Sequence, residues 1–425
     1  MKGNVGYKKK DIRYAPSRRK VLKLANALFR LLDRFDGRIL ALDEEKLIRK
    51  ARKKTGLYDF GDDAFREPLQ LLCENSRTGR PMTAVGRIAL QEDILRRLKN
   101  KLRIEAFLKA HPKVLEQEVR TPIFITGAPR TGTSLLQRLL AADPASRSLR
   151  SWEMADPVPP PSPETFTTNP RFKKDKLRWA FLNYAAPNLI TIHEAGPDIP
   201  EECISLMANN FTSMWFLASM EAYEYFHWLQ KLDLTENYRF HKRQLQLLQW
   251  NFPENIRWVL KSPWHANGLE WLMQVYPDVR IVQTHRDMSE VLPSYFSLML
   301  ATLGIFYEEL DHMAVADKWT EIIACNMEKG LAARKKKEEQ GGSPPIFLDV
   351  LYTDLVADPI GTIEKLYEKS GFELSGEAVD RMRRYLEENP QHKHGKHRYS
   401  LEQFGLTAVG VQERFRSYHE QFLGI

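Results

Sequence analysis

The sequence predicts a three-layer α/β/α domain with a central parallel sheet, preceded by an all-helical N-terminal region. Four short β-prone runs are separated by long stretches of helical periodicity, which favours parallel strands joined by crossover helices. The first run leads directly into a glycine-rich turn and a helix, as in P-loop-type domains. The runs are residues 123–126, 256–261, 279–284 and 346–351. We therefore divide the chain into a helical extension over 1–120 and an α/β domain over 121–425.

Helical spacing of apolar residues dominates the N-terminal region from residue 18 to about 115. Asp43 is a suitable N-cap for a helix with an acidic first turn and a basic last turn, so its charges complement the helix dipole. Gly56 is expected to end this helix. The region contains no motif typical of a catalytic site.

Net charge is unevenly distributed along the 425 residues. The 63 Lys and Arg against 55 Asp and Glu give +8, but the first 54 residues contain 18 basic and 6 acidic residues. This basic arm therefore carries +12, and the remainder carries −4. Hydrophobic residues (43%) and charged residues (28%) are as frequent as in ordinary globular proteins. This composition argues against disordered, collagen-like and disulfide-scaffold classes.

The three cysteines indicate a reducing environment. Cys73, Cys203 and Cys325 lie more than 100 residues apart, so their spacing supports neither a disulfide framework nor a thiolate zinc site. We see no signal-like apolar segment near residue 1 and no apolar stretch of membrane-spanning length. We therefore expect a cytoplasmic protein.

Two stretches between the strands stand out. A proline-rich loop covers residues 156–165, where proline prevents regular structure, and a helical insertion over about 195–250 is dense in aromatics. We expect these aromatics to pack in the core, with the wall of a binding pocket as the alternative. They are Trp215, Phe216, Tyr223, Tyr225, Phe226 and Trp228.

The glycine-rich turn is typical of phosphate-binding loops. Gly127 and Gly132 occupy the first and sixth positions of GxxxxGK[ST], and Ser134 occupies its last position. Glycines let the backbone fold around an oxyanion at the positive end of the following helix. Thr133 replaces the lysine of that pattern, and the nearest cation is Arg130. The ligand therefore need not be a nucleoside triphosphate; a turn that binds nothing is the alternative.

Two further motifs place cations at strand ends. The segment VLKSPWH ends a predicted strand in Lys261, and RIVQTHRDMSEVLPSYF places Arg286 just after another, eight residues before Ser294. Ligands of open α/β sheets bind at the carboxyl edge of the strands. Taken alone, an arginine at this spacing from a serine would by default form a surface salt bridge, and a lysine at a strand end is commonly just solvated.

With these motifs together, the chain resembles nucleotide-dependent sulfotransferases, in particular bacterial members with a long helical N-terminal extension. The resemblance covers most of the chain from about Gly56. It implies that the loop holds the 5′-phosphosulfate of 3′-phosphoadenosine 5′-phosphosulfate (PAPS) and that Arg286 and Ser294 grip the 3′-phosphate. The loop residues implied are Arg130, Thr131, Gly132, Thr133 and Ser134. Arginine keeps the charge of the lysine that many cytosolic members have at Arg130.

The resemblance also implies the chemistry: a sulfuryl group passes to a hydroxyl or amine, leaving adenosine 3′,5′-bisphosphate (PAP). Lys261 neutralises charge on the transferred group. The resemblance points to Glu153 as the base, because carbohydrate and protein-tyrosine sulfotransferases have their catalytic glutamate in the loop after the glycine-loop helix. His265 is the alternative suggested by cytosolic members, and His193 or Glu194 follows. A base should be partly desolvated so that its pKa approaches the working pH.

A basic segment near the C-terminus is expected to fold over the donor nucleotide. In HKHGKHRYSLEQFG, Lys396 and Arg398 are the candidate contacts. The spaced histidines are also compatible with a metal-binding site, but no set of cysteines or carboxylates accompanies them. The family needs no metal, so we expect none.

Other function classes stay open. The strand at 346–351 contains Asp349, which in a P-loop kinase or NTPase would hold magnesium. The lysines at 8–10 and the basic run at 18–20 suggest weak contact with an anionic membrane or nucleic acid, but no recognition motif accompanies them. The acceptor is expected to be a small molecule, lipid or carbohydrate, and the sequence does not distinguish among these. Nor does it indicate an oligomeric state.

Overall fold

The computed structural model describes Leu24, Asn26, Ala27 and residues 42–185, 194–341, 346–390 and 399–425. Its centre is a five-stranded parallel sheet in the order β2-β3-β1-β4-β5. The strands are β1 Ile123–Gly127, β2 Ser146–Arg147, β3 Arg257–Lys261, β4 Arg280–His285 and β5 Phe347–Leu351. The four predicted strands are confirmed to within one residue at every end. The short edge strand β2 was not predicted.

Helices surround the sheet on both faces. They are α1 Glu44–Thr55, α2 Arg66–Thr78, α3 Ala84–Ala110, α4 Thr133–Leu140, α5 Ser151–Ala155, α6 Pro170–Ala185, α7 Ile204–Met207, α8 Tyr223–Leu229, α9 Thr235–Gln249, α10 Leu269–Val275, α11 Met288–Phe306, α12 His312–Glu338, α13 Tyr352–Ala357, α14 Pro359–Ser370, α15 Gly376–Glu388, α16 Ala408–Arg414 and α17 Arg416–Phe422. The predicted three-layer α/β/α class with a helical N-terminal region is confirmed.

Helix ends are set by local caps, and the ends predicted for α1 are confirmed. Asp43 accepts a hydrogen bond from the Lys46 N–H at the start of α1, and Gly56 ends that helix with a left-handed φ of 70°. Asp358 caps α14 in the same way, and Gly371 ends it at φ 72°. These ends depend only on neighbouring residues, which is why the sequence predicts them well.

Two apolar cores lie on opposite faces of the sheet. The smaller one packs α4, α14 and α15 against one face through residues such as Ile125, Val259 and Leu140. The larger one joins the other face to the N-terminal helices, including Phe124, Trp258 and Leu95. The N-terminal helices therefore share a core with the sheet. The domain boundary at 120 and 121 stays a prediction.

Helix α11 follows β4 and is, among the described residues, the one helix long and apolar enough to span a bilayer, with a mean hydropathy of 1.3. We expected no stretch of that kind. Of its most apolar window, 61% is buried inside the fold, where α11 contacts α3, α12 and α16. Its packing is that of a core helix, and it carries Ser294 to the edge of the sheet.

The aromatic insertion is mainly core, as predicted. Phe216, Tyr225 and Phe226 are buried, and the other three aromatics pack against the large core while partly exposed. Tyr225 donates from its hydroxyl to the carbonyl of Phe211 at 2.6 Å, which ties α8 to the preceding 3₁₀ turns. The insertion thus builds one wall beside the end of β3.

Candidate active site

The turn between β1 and α4 forms a cradle of backbone N–H groups. Arg130 and Gly132 have left-handed φ values of 69° and 91°. A Cβ at Gly132 would lie 3.1 Å from side-chain atoms of Tyr352 and Leu355, so the tight turn suits glycine. The first N–H groups of α4 have no partner within the helix and lie at its positive end. This arrangement suits an oxyanion.

Thr131 and Gly127 fix the cradle to β4. The Thr131 hydroxyl is 2.5 Å from that of Thr284 and donates to the carbonyl of Ala128 at 2.7 Å. A Cβ at Gly127 would approach the Thr284 carbonyl to 2.5 Å, so only glycine permits this spacing. Thr133, at the position of the P-loop lysine, is 4% exposed and carries no charge to the site.

The two predicted donor-binding arginines converge beside the cradle. Arg130 donates from Nε to the Ser294 hydroxyl at 3.0 Å, and Arg286 donates from Nη1 to the carbonyl of Arg130 at 3.1 Å. The Tyr399 hydroxyl donates to the same Ser294 oxygen at 2.7 Å. Burial and the nearby Arg286 lower the pKa of Arg130, against the opposing effect of Tyr399. Arg130, Arg286 and Ser294 thus form one polar cluster.

The Arg286 guanidinium is held from two sides. Its Nε and Nη2 donate to Glu290 at 2.9 and 2.6 Å, and it lies 4.1 Å above the Tyr352 ring. Its side chain is 24% exposed, so it faces the solvent side of the cluster. Glu290 neutralises this cation in the structure and would compete with a phosphate for it.

A lysine from β3 approaches the end of the cradle. Lys261 Nζ lies 3.4 Å from the hydroxyl of Ser134 and 2.5 Å from a carboxylate oxygen of Glu202. The Lys261 side chain is 2% exposed and that of Glu202 is 20% exposed. The cation missing from position 133 is therefore supplied by a neighbouring strand, with an accessible carboxylate beside it.

Glu153 is not in this group. Its carboxylate accepts from Arg147 Nη2 at 2.6 Å and from the Arg150 backbone N–H at 2.8 Å, and the side chain is fully buried. Arg147 lies 4.2 Å above the Trp258 ring. Trp258 and Lys261 are three residues apart in an extended strand, so they point to opposite faces of the sheet. The structure therefore brings Glu153 into contact with neither Lys261 nor Ser134.

His265 lies in the large core. Its Nδ1 is 3.0 Å from the Tyr238 hydroxyl, and its ring packs edge-on against Phe124 at a centroid distance of 4.9 Å. Burial, with a smaller effect of His241, lowers the pKa of His265 well below the ordinary value. The imidazole is therefore neutral and a weak base, 1% exposed.

Of the remaining candidates, Glu194 forms an ion pair with Arg138 at 2.6 Å. His193, Lys396 and Arg398 lie outside the described residues, as do the other histidines of the basic C-terminal segment. No group of three or more His, Cys, Asp or Glu in the described part of the chain is arranged to hold a metal ion.

Asp349, the magnesium candidate of the kinase alternative, is occupied. Arg334 donates to its two carboxylate oxygens at 2.6 and 2.8 Å, and His285 Nε2 lies 2.8 Å away. Although burial opposes the effect, Arg334 and His285 hold the pKa of Asp349 well below its ordinary range. This carboxylate is an anchor for α12, and none of these contacts joins it to the cradle.

The sequence reasoning missed Glu202 and Tyr399 as site residues. Tyr399 lies next to the basic segment, in which the cations Lys396 and Arg398 were the predicted contacts. Glu202 follows a β-bridge between Arg150 and Pro200, and the N–H of Cys203 donates to the Lys261 carbonyl at 2.9 Å. This extended connection places Glu202 beside β3, and no local sequence signal reveals it.

The chain is similar to several known proteins. A model described as the sulfotransferase family matches residues 122–376. Two relatives, both omega-hydroxy-beta-dihydromenaquinone-9 sulfotransferase Stf3, come from Mycobacterium bovis and Mycobacterium tuberculosis. Each is 24% identical over 289 residues, which are 67% of this chain and 72% of the relative.

Solved structures agree over a longer range. Sulfotransferase STF1 from Mycobacterium tuberculosis H37Rv is 32% identical with a TM-score of 0.77, covering 88% of this chain and 98% of that one. Sulfotransferase STF9 from Mycobacterium avium is 29% identical with a TM-score of 0.81, covering 89% and 96%. The family match includes the cradle, Lys261, Arg286 and Glu202, and ends before residues 396 and 398.

Proposed function

This chain belongs to the sulfotransferase family, and we propose that its donor is PAPS and its acceptor the hydroxyl of an apolar, lipid-like small molecule. The cluster of Arg130, Arg286 and Ser294 beside the cradle carries this proposal. The donor has a phosphosulfate at one end and a 3′-phosphate at the other, so it needs two separated anion sites. The N–H cradle supports the first, and Arg286 with Ser294 supports the second.

Lys261 is proposed to stabilise charge during transfer. It approaches Ser134 at the end of the cradle, where a phosphosulfate held by the loop would meet it. Charge grows on the bridging oxygen as the sulfur–oxygen bond breaks, and a buried ammonium stabilises such charge more strongly than an exposed one.

We place the base at Glu202. The acceptor oxygen attacks sulfur, the bond from sulfur to the donor phosphate breaks, and PAP leaves with the electron pair. Glu202 takes the hydroxyl proton. Its side chain is 20% exposed and beside Lys261, so an acceptor can reach it, whereas Glu153 is sealed by its ion pair with Arg147. This difference in access supports Glu202 over Glu153 as the base.

The apolar character of the acceptor rests on two observations. Stf3 is named for a menaquinone-derived acceptor, which is a lipid. In this chain, Ser262 and Trp264, just after Lys261, border a cavity of about 20 Å³ whose wall includes Met207 and Met214. That volume holds one water molecule, but methionine side chains adapt readily to an apolar ligand.

The donor is tested by equilibrium binding to the full chain, comparing PAP with ATP, with and without magnesium. We expect PAP to bind without magnesium and ATP to bind much more weakly. Tight Mg-ATP binding without PAP binding would instead favour a P-loop kinase or NTPase.

The acceptor is tested by supplying labelled PAPS with a matched series of long-chain alcohols, phenols, sugars and amines, and identifying products by mass spectrometry. We expect sulfate esters of the apolar alcohols or phenols. Exclusive transfer to sugars or amines would overturn the acceptor proposal while leaving the donor proposal intact.

A further inference from the structure

Helix α6 has an inner face that is firmly attached to the fold. Trp179 donates from Nε1 to the hydroxyl of Ser151 at 3.0 Å, and Arg171 donates to the carbonyl of Asp156 at 2.5 Å. Asp175 is buried against Ser151 and forms an ion pair with Arg178 at 2.7 Å. This helix is therefore a fixed part of the surface.

The outer face of α6 is apolar and exposed. Leu177 is 73% exposed, Phe181 54% and Tyr184 37%. Spacings of four and three residues place these side chains on one stripe of the helix. Exposure of this extent for adjacent large apolar side chains is unusual on a folded surface and marks an interaction site.

Lysines extend the same stripe toward the start of the helix. Lys173 and Lys174 are exposed, four and three residues before Leu177, and Lys176 is exposed at its flank. None of these lysines forms an ion pair within 4 Å with another described residue, and the acidic Asp175 is turned inward. The α6 face, defined as Lys173, Lys174, Leu177, Phe181 and Tyr184, is therefore both apolar and cationic.

Neighbouring helices add to the positive charge. Burial lowers the pKa of Lys99 on α3, and the nearby cations Arg103, Lys54 and Lys174 lower it further. Lys54 is in the basic last turn of α1. The α6 face thus adjoins further cations on two other helices, of which Arg103 is paired with Asp156 at 2.9 Å.

We propose that the α6 face docks onto an anionic lipid bilayer, with Leu177 and Phe181 entering the headgroup region and the lysines contacting acidic headgroups. An apolar stripe flanked by lysines is the pattern of helices that lie in the membrane interface. A two-fold contact between copies fits less well, because the face contains no acidic side chain to pair its lysines.

The location of α6 gives the contact a purpose, which rests on the proposed lipid-like acceptor. Ser151, against which Trp179 packs, also donates to the carbonyl of Gly196 at 3.2 Å. The adjacent Arg150 pairs with Pro200, two residues before Glu202. Docking through α6 would therefore place the bilayer close to the transfer site, with the segment that contains Arg150 and Ser151 between them.

The test is co-sedimentation of the full chain with phosphatidylcholine vesicles, with and without phosphatidylglycerol. We expect binding only to the anionic vesicles and weakening by salt. The double variant Leu177→Ser/Phe181→Ser should lower the partition coefficient by roughly tenfold or more, because two apolar side chains no longer enter the interface. Lys173→Glu/Lys174→Glu should lower it by a similar factor.

Matched controls lie elsewhere on the surface. Val409→Ser removes another apolar side chain, 65% exposed, and Lys365→Glu/Lys369→Glu reverses two exposed lysines of α14. Both should leave vesicle binding within about twofold, since surface charges far from the bilayer are screened. If the controls lose as much vesicle binding as the α6 variants, the contact depends only on net charge and the proposal is wrong.

Two other results would also overturn it. The first is that the α6 variants bind vesicles as well as the wild type does. The second is that binding is lost only when the lysines at 8–10 are replaced, because the basic arm would then be the contact. Equilibrium binding of PAP to the full chain without vesicles, measured in parallel, reports the proposed donor function separately. Vesicle binding without PAP binding would contradict the function, and PAP binding without vesicle binding would contradict the docking.

Discussion

The two faces of the central sheet each hold a buried ion pair near β3, and the pairs differ in access. On the α4 face, Lys261 lies 2.5 Å from Glu202, whose side chain is 20% exposed. On the opposite face, Arg147 lies 2.6 Å from Glu153, whose side chain is fully buried. Charge and distance are nearly the same. Access to solvent and to the cradle is the reason that we propose a chemical role for one pair and a structural role for the other.

The surroundings of each pair explain this difference. The Arg147 guanidinium lies 4.1 Å above the Phe252 ring and 4.2 Å above the Trp258 ring, so aromatic surface covers it. Lys261 faces a serine hydroxyl at the start of α4 instead. The face of the sheet to which a strand residue points thus determines whether its charge is buried in the core or directed to the candidate site.

The largest effect is expected on the accessible side. Glu202→Gln removes the proposed proton acceptor while keeping the side-chain shape. Turnover should fall by roughly 10²- to 10⁴-fold, with PAP affinity nearly unchanged. Steady-state kinetics, with calorimetry of PAP, measures both.

A matched control for this variant is Glu224→Gln, which changes an exposed carboxylate on α8 and should keep turnover within about threefold, as for a surface substitution without a catalytic role. Near-normal turnover of Glu202→Gln would remove Glu202 as the base.

The second prediction applies the same substitution to the sealed pair. Glu153→Gln leaves Arg147 buried without its counter-charge, so the free energy of unfolding should fall by about 3–5 kcal/mol. Urea unfolding measures it. If unfolding is unchanged and turnover drops by the factor expected for Glu202→Gln, the two glutamates have exchanged roles and our comparison is wrong.

The third prediction concerns Arg286, another cation beside the cradle. Arg286→Ala should weaken PAP binding by roughly 10- to 100-fold, because a charge-assisted hydrogen bond to phosphate is lost. Glu290→Gln should instead bind PAP as tightly as the wild type or more tightly, since Glu290 competes for the guanidinium. Calorimetry of both variants checks this. An unchanged affinity in Arg286→Ala would exclude Arg286 from the donor site.

The smallest expected effect concerns two buried histidines, which lie on the same face of the sheet as Glu153. Burial lowers the pKa of His241 to about 3, and the unfolded chain has an ordinary value near 6.5. The unfolded state therefore binds more protons below about pH 6.5, and stability falls as pH drops from there toward about 3. His265 contributes in the same direction.

Between about pH 7 and about pH 5.5 this loss from His241 should be on the order of 1 kcal/mol. Urea unfolding at both pH values measures it. The variant His241→Asn keeps a side-chain polar group but does not titrate, so its stability should depend less on pH. An equal dependence in wild type and variant would show that His241 is not sealed.

Local features of this fold were predictable from the sequence. The caps at Asp43 and Asp358 and the turn at Gly132 depend on a few adjacent residues, and the strand runs are separated by clear helical periodicity. Lys261, Arg286 and Ser294 were found through their places after strands, combined with a family resemblance. Their functional roles, like the cytoplasmic location, stay predictions.

What the sequence could not supply depends on tertiary contacts. Glu202 reaches Lys261 through an extended connection from a distant segment, 59 residues away along the chain. Glu153 has a suitable neighbour in the sequence, Trp152, but its burial is set by Arg147 and by rings more than 95 residues further on. Desolvation was predicted to activate this carboxylate, whereas the structure pairs it with a cation.

The short strand β2 has a consequence beyond the site. As an edge strand of two residues, it offers little unpaired backbone on its outer side. Addition of a strand from another chain needs a row of free N–H and C=O groups, and a long flat edge would supply one. The same turn of chain that carries Arg147 and leads to Glu153 therefore also protects this edge of the sheet against aggregation.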